Sequence, residues 1–161
     1  MRHQGTARHV VTPRTLVFCE RGGQWLFLEG AAGKWFAGRL NGLGGSVERG
    51  EDVASAAARE VEEECGLAPS GLRLGAVVHV DADPQVMLFV FTATLADGAV
   101  RASAEGRLVW HPLAALHDAS VPFLDDVRSL LPRLLARGGA AVGDAKPGAT
   151  GDAPLSLTAR W

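Results

Sequence analysis

Several things are scarce in this sequence, and each absence removes a class of function. Cysteine occurs twice, at 19 and 65, too few and too far apart for the disulfide framework that staples small secreted domains. Net charge is small as well. Sixteen Lys and Arg against 18 Asp and Glu leave a formal −2, so no global basic field draws the protein to polyanions. Affinity for phosphates must then come from a local site or from a metal. No stretch approaches the roughly 18 consecutive apolar residues needed to span a bilayer, and residues 1–9 are polar and basic without an apolar h-region. The expectation is a soluble, unexported, cytoplasmic protein with no membrane partner and no stable nucleic-acid partner. A covalent nucleophile is missing too. Neither cysteine has a local histidine partner, and His79, His111 and His117 are scattered rather than spaced as zinc ligands.

What is present suits one compact domain. A chain of 161 residues with 47% hydrophobic content buries a core without staples. Apolar residues cluster at 15–19 and 25–28, and Gly22 and Gly23 between them permit a tight reversal, which reads as a β-hairpin. Residues 30–50 hold seven glycines and little periodicity, so a long irregular loop is expected there, of the kind that is usually functional. From Asp52 to Cys65 the period becomes helical: Val53, Ala57 and Val61 line one stripe, and Gly66 suits the left-handed position past the end. Segments 72–80 and 86–95 read as paired strands around the turn residues 81–84, and 107–111 as a further strand closed by Pro112. A second helix is expected over 121–137, kinked or broken at Pro132. These elements give an α+β domain over 1–137 with a mixed β-sheet. Residues 138–161 form a Gly- and Ala-rich tail expected to be mobile to Pro154, with alternation at 155–161 that suits an edge strand.

On the first helix, Glu60, Glu63 and Glu64 are spaced by three and four, which places their carboxylates on one face. Two explanations are open. The face is simply solvated, or it is an oxygen-donor site in which a hard divalent cation turns mutual repulsion into ligation. The surroundings bear on the choice. Gly45, Glu51, Arg59-Glu60-Val61, Glu63-Glu64 and Gly66-Leu67 together spell G-x5-E-x7-R-E-V-x-E-E-x-G-L. Gly45 lets the backbone bend tightly enough for a carbonyl to face a metal. Glu51, near the helix start, is placed to pair with Arg59 and lock the loop onto the helix.

At these residues the chain resembles the Nudix hydrolase family, whose signature has the same nine constrained positions at the same spacing. The resemblance implies a Nudix-type α/β/α sandwich and a Mg²⁺-dependent attack of water on a phosphoanhydride, with Mn²⁺ as an alternative cofactor. It implies Gly45, Glu60, Glu63 and Glu64 as metal ligands, one glutamate accepting a proton from the water, and Glu51 and Arg59 in support. Glu105, five residues before Trp110, matches a loop glutamate that completes the metal site in the family.

Within the family, residues 35–45 resemble the MutT-type branch that sanitises the nucleotide pool of oxidised purine nucleoside triphosphates, the 8-oxo-dGTP diphosphatases. Asn41 stands where that branch reads the base edge, and its amide offers both donor and acceptor. An Asn that merely tolerates a turn is the plain alternative. Trp35 matches an aromatic at the rim of the base pocket, or is a core tryptophan. Asp125 and Asp126, after Phe123, match a paired acid of the pocket, or begin the second helix. Thr15 matches a polar pocket residue. The chain departs from the pattern at Ser46, where many relatives carry Lys, so a charge contact to phosphate is missing or supplied by Arg39. Leu40 replaces an aromatic before Asn41. Three functions follow: a pyrophosphohydrolase of oxidised purine nucleoside triphosphates, a Nudix hydrolase of another substrate such as ADP-ribose or a dinucleoside polyphosphate, and a non-catalytic nucleotide-binding module.

Overall fold

The structure, a computed structural model, describes residues 9–136 throughout and the backbone of 141–146 and 156–160. Strand β1 (Thr12–Arg21) turns at Gly22 and Gly23, both at positive φ, into β2 (Gln24–Gly30). This is the expected hairpin, and two consecutive left-handed residues give the twist that a two-residue reversal needs. The glycine-rich segment that follows contains one short strand, β3 (Leu40–Asn41), before helix α1 (Val53–Cys65). Strands β4 (Pro69–Val80) and β5 (Val86–Leu95) pair antiparallel as expected, followed by β6 (Gly106–Pro112). A short 3₁₀ turn (Leu113–His117) leads to helix α2 (Asp125–Ala136).

The sheet is mixed, in the order β3-β2-β1-β5-β4, and β6 pairs with β2 along its full length. Parallel pairing of β1 with β5 puts β5 between β1 and β4, so neither edge of that apolar strand is open. Beyond β4 lie β7 (Ala141–Lys146), parallel to it, and β8 (Ser156–Arg160), antiparallel to β7. Within the span expected to be mobile, Ala141–Lys146 forms β7, and the rest of the span lies outside the described residues. Without β7, the outer edge of β4 would present unpaired backbone groups. The terminal edge strand expected at 155–161 corresponds to β8, its first and last residues lying outside those described.

Alternation along β1 sorts the two cores. Val17 and Cys19 face α1 with Leu26, Ala57, Val61, Cys65 and Phe91, while Leu16 and Phe18 face α2 with Phe27, Val90, Val127, Leu130 and Leu131. The result is the α/β/α sandwich. Each fully buried aliphatic or aromatic side chain contributes about 1.5–3 kcal/mol. Helix α1 is fixed at both ends. The Asp52 carboxylate caps it by accepting from the Ala54 and Ser55 amides, and Gly66 at φ 78° closes it, donating to the Glu62 carbonyl.

Helix α2 departs from the sequence expectation at its start. It begins at Asp125 rather than at 121, because the Leu40 amide donates to Pro122 and the Leu40 carbonyl accepts from Leu124, holding 122–124 extended beside β3. Of the kink or break expected at Pro132 the break is absent, the helix continuing to Ala136. The proline removes the amide that would bond to the Arg128 carbonyl, but buried Val127, Leu130 and Leu131 hold the helix to the sheet. Among the described residues, no helix is long and apolar enough to cross a membrane.

Candidate active site

Each strand has two edges, and β6 occupies one side of β2 entirely. On the other side β2 pairs with β1 at residues 24–26 and with β3 at residues 28 and 29. The free part of β1 is taken by the glycine-rich segment: Val17 exchanges backbone hydrogen bonds with Leu43, Thr15 donates to the Gly45 carbonyl, and Val47 donates to Pro13. The Thr15 hydroxyl is buried and accepts from the Gly45 amide at 3.3 Å. Thr15 is thus bonded to the loop that α1 approaches. Gly44 lies at φ 140°, and a Cβ there would collide with the Thr15 backbone.

The carboxylates of α1 meet this segment. Glu64 is only 4% exposed and accepts from the Gly44 amide at 2.9 Å. Glu60 lies against Gly45, where an added Cβ would stand 2.5 Å from the carboxylate atoms. Residue 45 must therefore lack a side chain for a carboxylate to sit on it. Burial pushes the Glu64 carboxyl up to about 8; the Gly44 amide opposes this, the charges of Glu60 and Glu105 add to it, and Lys34 offsets part of it. Beneath them Cys19 and Cys65 are free and buried, and desolvation raises both thiols.

Arg59 organises the cluster. Its Nε and Nη2 grip Glu51 at 2.9 and 3.0 Å, Nη1 reaches Glu60 at 2.9 Å and Glu63 at 3.4 Å, and Nη2 also donates to the Ser46 carbonyl at 3.0 Å. The expected Glu51–Arg59 lock is present as a bidentate fork. Those bonds hold the Glu51 carboxyl below its ordinary value and raise Arg59 above its own. Glu63, with its side chain 61% exposed, makes only the longer contact.

Among the described residues, no three acidic or histidine side chains converge as a finished cation cage. The cause is visible in the pairing: Arg59 holds Glu60 and Glu63, and Lys34 holds Glu105 in an ion pair. The donor set nonetheless fits a hard divalent ion. Burial and the charges of Glu60 and Glu105 disfavour ionisation of Glu64, and a dication reverses that penalty. Lys34 was not singled out from sequence, because its ion pair joins segments far apart in the chain.

Of the residues matched to base recognition, Arg39, Phe123 and Asp125 share one cleft, whereas Thr15, Trp35, Asn41 and Asp126 do not line it. Asn41, on β3, accepts the Gly42 amide on its own Oδ1 at 2.9 Å. Its Oδ1 is thus engaged by the following turn, as in the plain turn-forming reading. Trp35 is 67% exposed with its ring edge against Phe36, so it is not a core residue. Phe123 is buried in T-shaped contact with Phe27 and His111. Arg39 donates to the Phe123 carbonyl at 3.4 Å and lines a cleft of about 540 Å³ with Phe123, Asp125, His117 and Arg128; none of the glutamates of α1 lines it. The two aspartates diverge: Asp125 is exposed in the cleft, whereas Asp126 is buried. Arg128, also missed from sequence, donates to the carbonyls of Leu116, Asp118 and Val121 and lies over the Phe123 ring, fastening this loop to α2.

A glycine-rich segment bonded to one strand and pressed by a helix of acids, inside an α/β/α sandwich, defines a class of protein. The chain belongs to the NUDIX family, whose domain model matches residues 8–134. The oxidized purine nucleoside triphosphate hydrolase of Mus musculus is 35% identical over 94 residues, covering 55% of this chain and 56% of the mouse protein. The match thus spans little more than half of that relative. The MutT protein of Bacillus halodurans superposes with a TM-score of 0.77 at 22% identity, over 93% of this chain and 97% of its own. A MutT NUDIX hydrolase from Burkholderia pseudomallei superposes with a TM-score of 0.62 at 25% identity, over 77% and 98%.

Proposed function

We propose that this protein is a Mg²⁺-dependent nucleoside triphosphate pyrophosphohydrolase acting on oxidised purine nucleotides of the 8-oxo-dGTP kind. It releases the nucleoside monophosphate and pyrophosphate, and serves the cytoplasmic nucleotide pool. The observation that carries the reading is the seating of Glu64 and Glu60 on Gly44 and Gly45. The mouse relative, an oxidized purine nucleoside triphosphate hydrolase, supports the substrate class.

In this reading Glu60, Glu63, Glu64, Glu105 and the Gly45 carbonyl hold the cation. When bound, Mg²⁺ or Mn²⁺ supplies charge neutralisation at the phosphate oxygens and a more acidic water. Arg59 and Glu51 hold the loop and the helix in register, so that the carboxylates keep their spacing. One of the glutamates of α1 accepts the proton from the attacking water. Asn41 and Asp125 read the base edge, with Thr15, Trp35, Arg39, Phe123 and Asp126 completing or supporting the pocket.

A panel of nucleotides assayed with Mg²⁺, scored by kcat/KM and by the phosphate species released, tests this. Preferential release of pyrophosphate from 8-oxo-dGTP is expected. A second reading, hydrolysis of another nucleoside diphosphate-linked substrate, draws on the divergence of Asp125 from Asp126, which leaves one acid of the pair at the cleft. Equal rates on dGTP and 8-oxo-dGTP, with faster cleavage of ADP-ribose or a dinucleoside polyphosphate, would select it.

A further inference from the structure

Phosphoanhydride substrates bring several negative charges, and the carboxylate cluster offers few cations to meet them. Arg59 is fully committed. A guanidinium has five N–H donors, and those of Arg59 go to Glu51 twice, Glu60, Glu63 and the Ser46 carbonyl. Arg39 is directed to the Phe123 carbonyl. Lys34 remains. It sits in the loop after β2, its side chain is 36% exposed, and its Nζ pairs with Glu105. Two backbone contacts hold that loop against the segment carrying Glu105: the Ala31 amide donates to the Glu105 carbonyl at 3.0 Å, and Gly106 packs so tightly on Glu29 that no Cβ fits. The charges of Lys34 and Glu105 both reach Glu64.

We propose that Lys34 is a phosphate-binding residue masked by Glu105, and that a divalent cation unmasks it by drawing the Glu105 carboxylate away. The inference rests on the metal-dependent reading of the same cluster. An ammonium whose carboxylate partner has turned to a dication faces a positive neighbour, and an anion between the two is favoured over water. A phosphate oxygen is that anion. Its flexible stem and three rotatable donors let Lys34 follow the phosphate chain rather than one fixed oxygen. Cation and phosphate then bind in a favoured order, and the site does not hold phosphate firmly without metal.

The test uses the whole protein, with Mg²⁺ alone and inorganic pyrophosphate as probes in calorimetric titrations. Lys34→Ala is expected to bind Mg²⁺ severalfold more tightly, because a competitor for Glu105 is gone. The same variant is expected to bind pyrophosphate at saturating Mg²⁺ about tenfold more weakly, the scale of one lost charge-assisted hydrogen bond. Lys34→Arg should retain pyrophosphate binding. Glu105→Gln should raise pyrophosphate affinity in the absence of metal, since the mask is removed. A merely structural role for Lys34 would weaken both titrations and lower Tm. Unchanged or weaker Mg²⁺ binding by Lys34→Ala, or unchanged pyrophosphate binding, overturns the inference. A parent protein that binds no Mg²⁺ overturns the metal-dependent function itself, and this inference with it.

Discussion

Arg59 and Glu51 are joined by two parallel hydrogen bonds of 2.9 and 3.0 Å, which tie the residue preceding the cap of α1 to the middle of the helix. The fork geometry is specific to a guanidinium. Lys carries the same charge as a point, with no second parallel donor and no simultaneous reach to Ser46 and Glu60. Arg59→Lys is therefore expected to reduce kcat by about tenfold to a hundredfold, the range for residues that orient metal ligands, and to lower Tm. Equality with the parent in both measurements would remove the orienting role.

Glu64→Gln separates chemistry from stability. Gln keeps the shape but lacks the anionic oxygen a hard cation requires, so turnover is expected to fall by at least about a hundredfold. Thermal unfolding without metal should move the other way, because a buried carboxylate among like charges is exchanged for a neutral amide. Near-normal kcat at saturating Mg²⁺ would exclude Glu64 from the metal site. Glu63→Gln is expected to be as damaging to turnover but neutral to Tm, its side chain being largely exposed.

The pH dependence of the metal-free protein follows from the same carboxyl. Its folded value, about 8, lies above the ordinary 4.5, so the folded state holds the proton more tightly than the unfolded chain does. The associated stability is complete below about 4.5 and declines as pH rises through about 8. Metal-free Tm should fall across that window by more in the parent than in Glu64→Gln. Identical slopes in the two proteins would mean that Glu64 does not titrate there.

Gly45→Ala places a methyl group 2.5 Å from the Glu60 carboxylate atoms. The side chain is the more movable partner, so Glu60 is expected to swing aside while the fold persists. Mg²⁺ affinity and kcat should both drop, with Tm little changed. Gly44→Ala meets the Thr15 backbone from a left-handed φ and should instead destabilise the protein. A Gly45→Ala variant with unaltered Mg²⁺ affinity would place Glu60 outside the metal site.

Base selection is expected to reside in Asn41 and Asp125. Asn41→Ala and Asp125→Asn should each lower kcat/KM for 8-oxo-dGTP by about 1–3 kcal/mol in transition-state terms, with a much smaller loss on dGTP. Equal losses on both substrates would assign these residues to stability or phosphate placement.

The parts of the molecule legible in the sequence are those whose determinants are local. Helix α1, its left-handed end at Gly66 and the Glu51–Arg59 pair depend on spacings within one short segment, and spacing is what sequence displays. The β1–β2 hairpin was readable because two glycines sit between two apolar runs. What escaped depends on contacts distant along the chain: the Lys34–Glu105 pair, the Arg128 clamp, and the strand Ala141–Lys146, which pairs with the outer edge of β4. Asp125 and Asp126 show a different limit. Adjacent residues on a helix point about 100° apart, so an acid pair at its first turn does not share one environment, however closely it matches a pattern.

Leu40 lends its amide to Pro122 and its carbonyl to Leu124, so the strand bearing Asn41 and the segment leading to Asp125 are stitched together at a single residue. The acids of α1 take no part in that stitch. Under the proposed assignment, Asn41 and Asp125 are thus held by one set of backbone bonds and the α1 carboxylates by another, with the run from Gly42 to Gly45 and its bonds to Thr15 between them. A lineage carrying this architecture is free to exchange one nucleotide for another while its chemistry stays still, and an engineer wishing to retune it would graft the strand and the helix-leading segment together, never one alone.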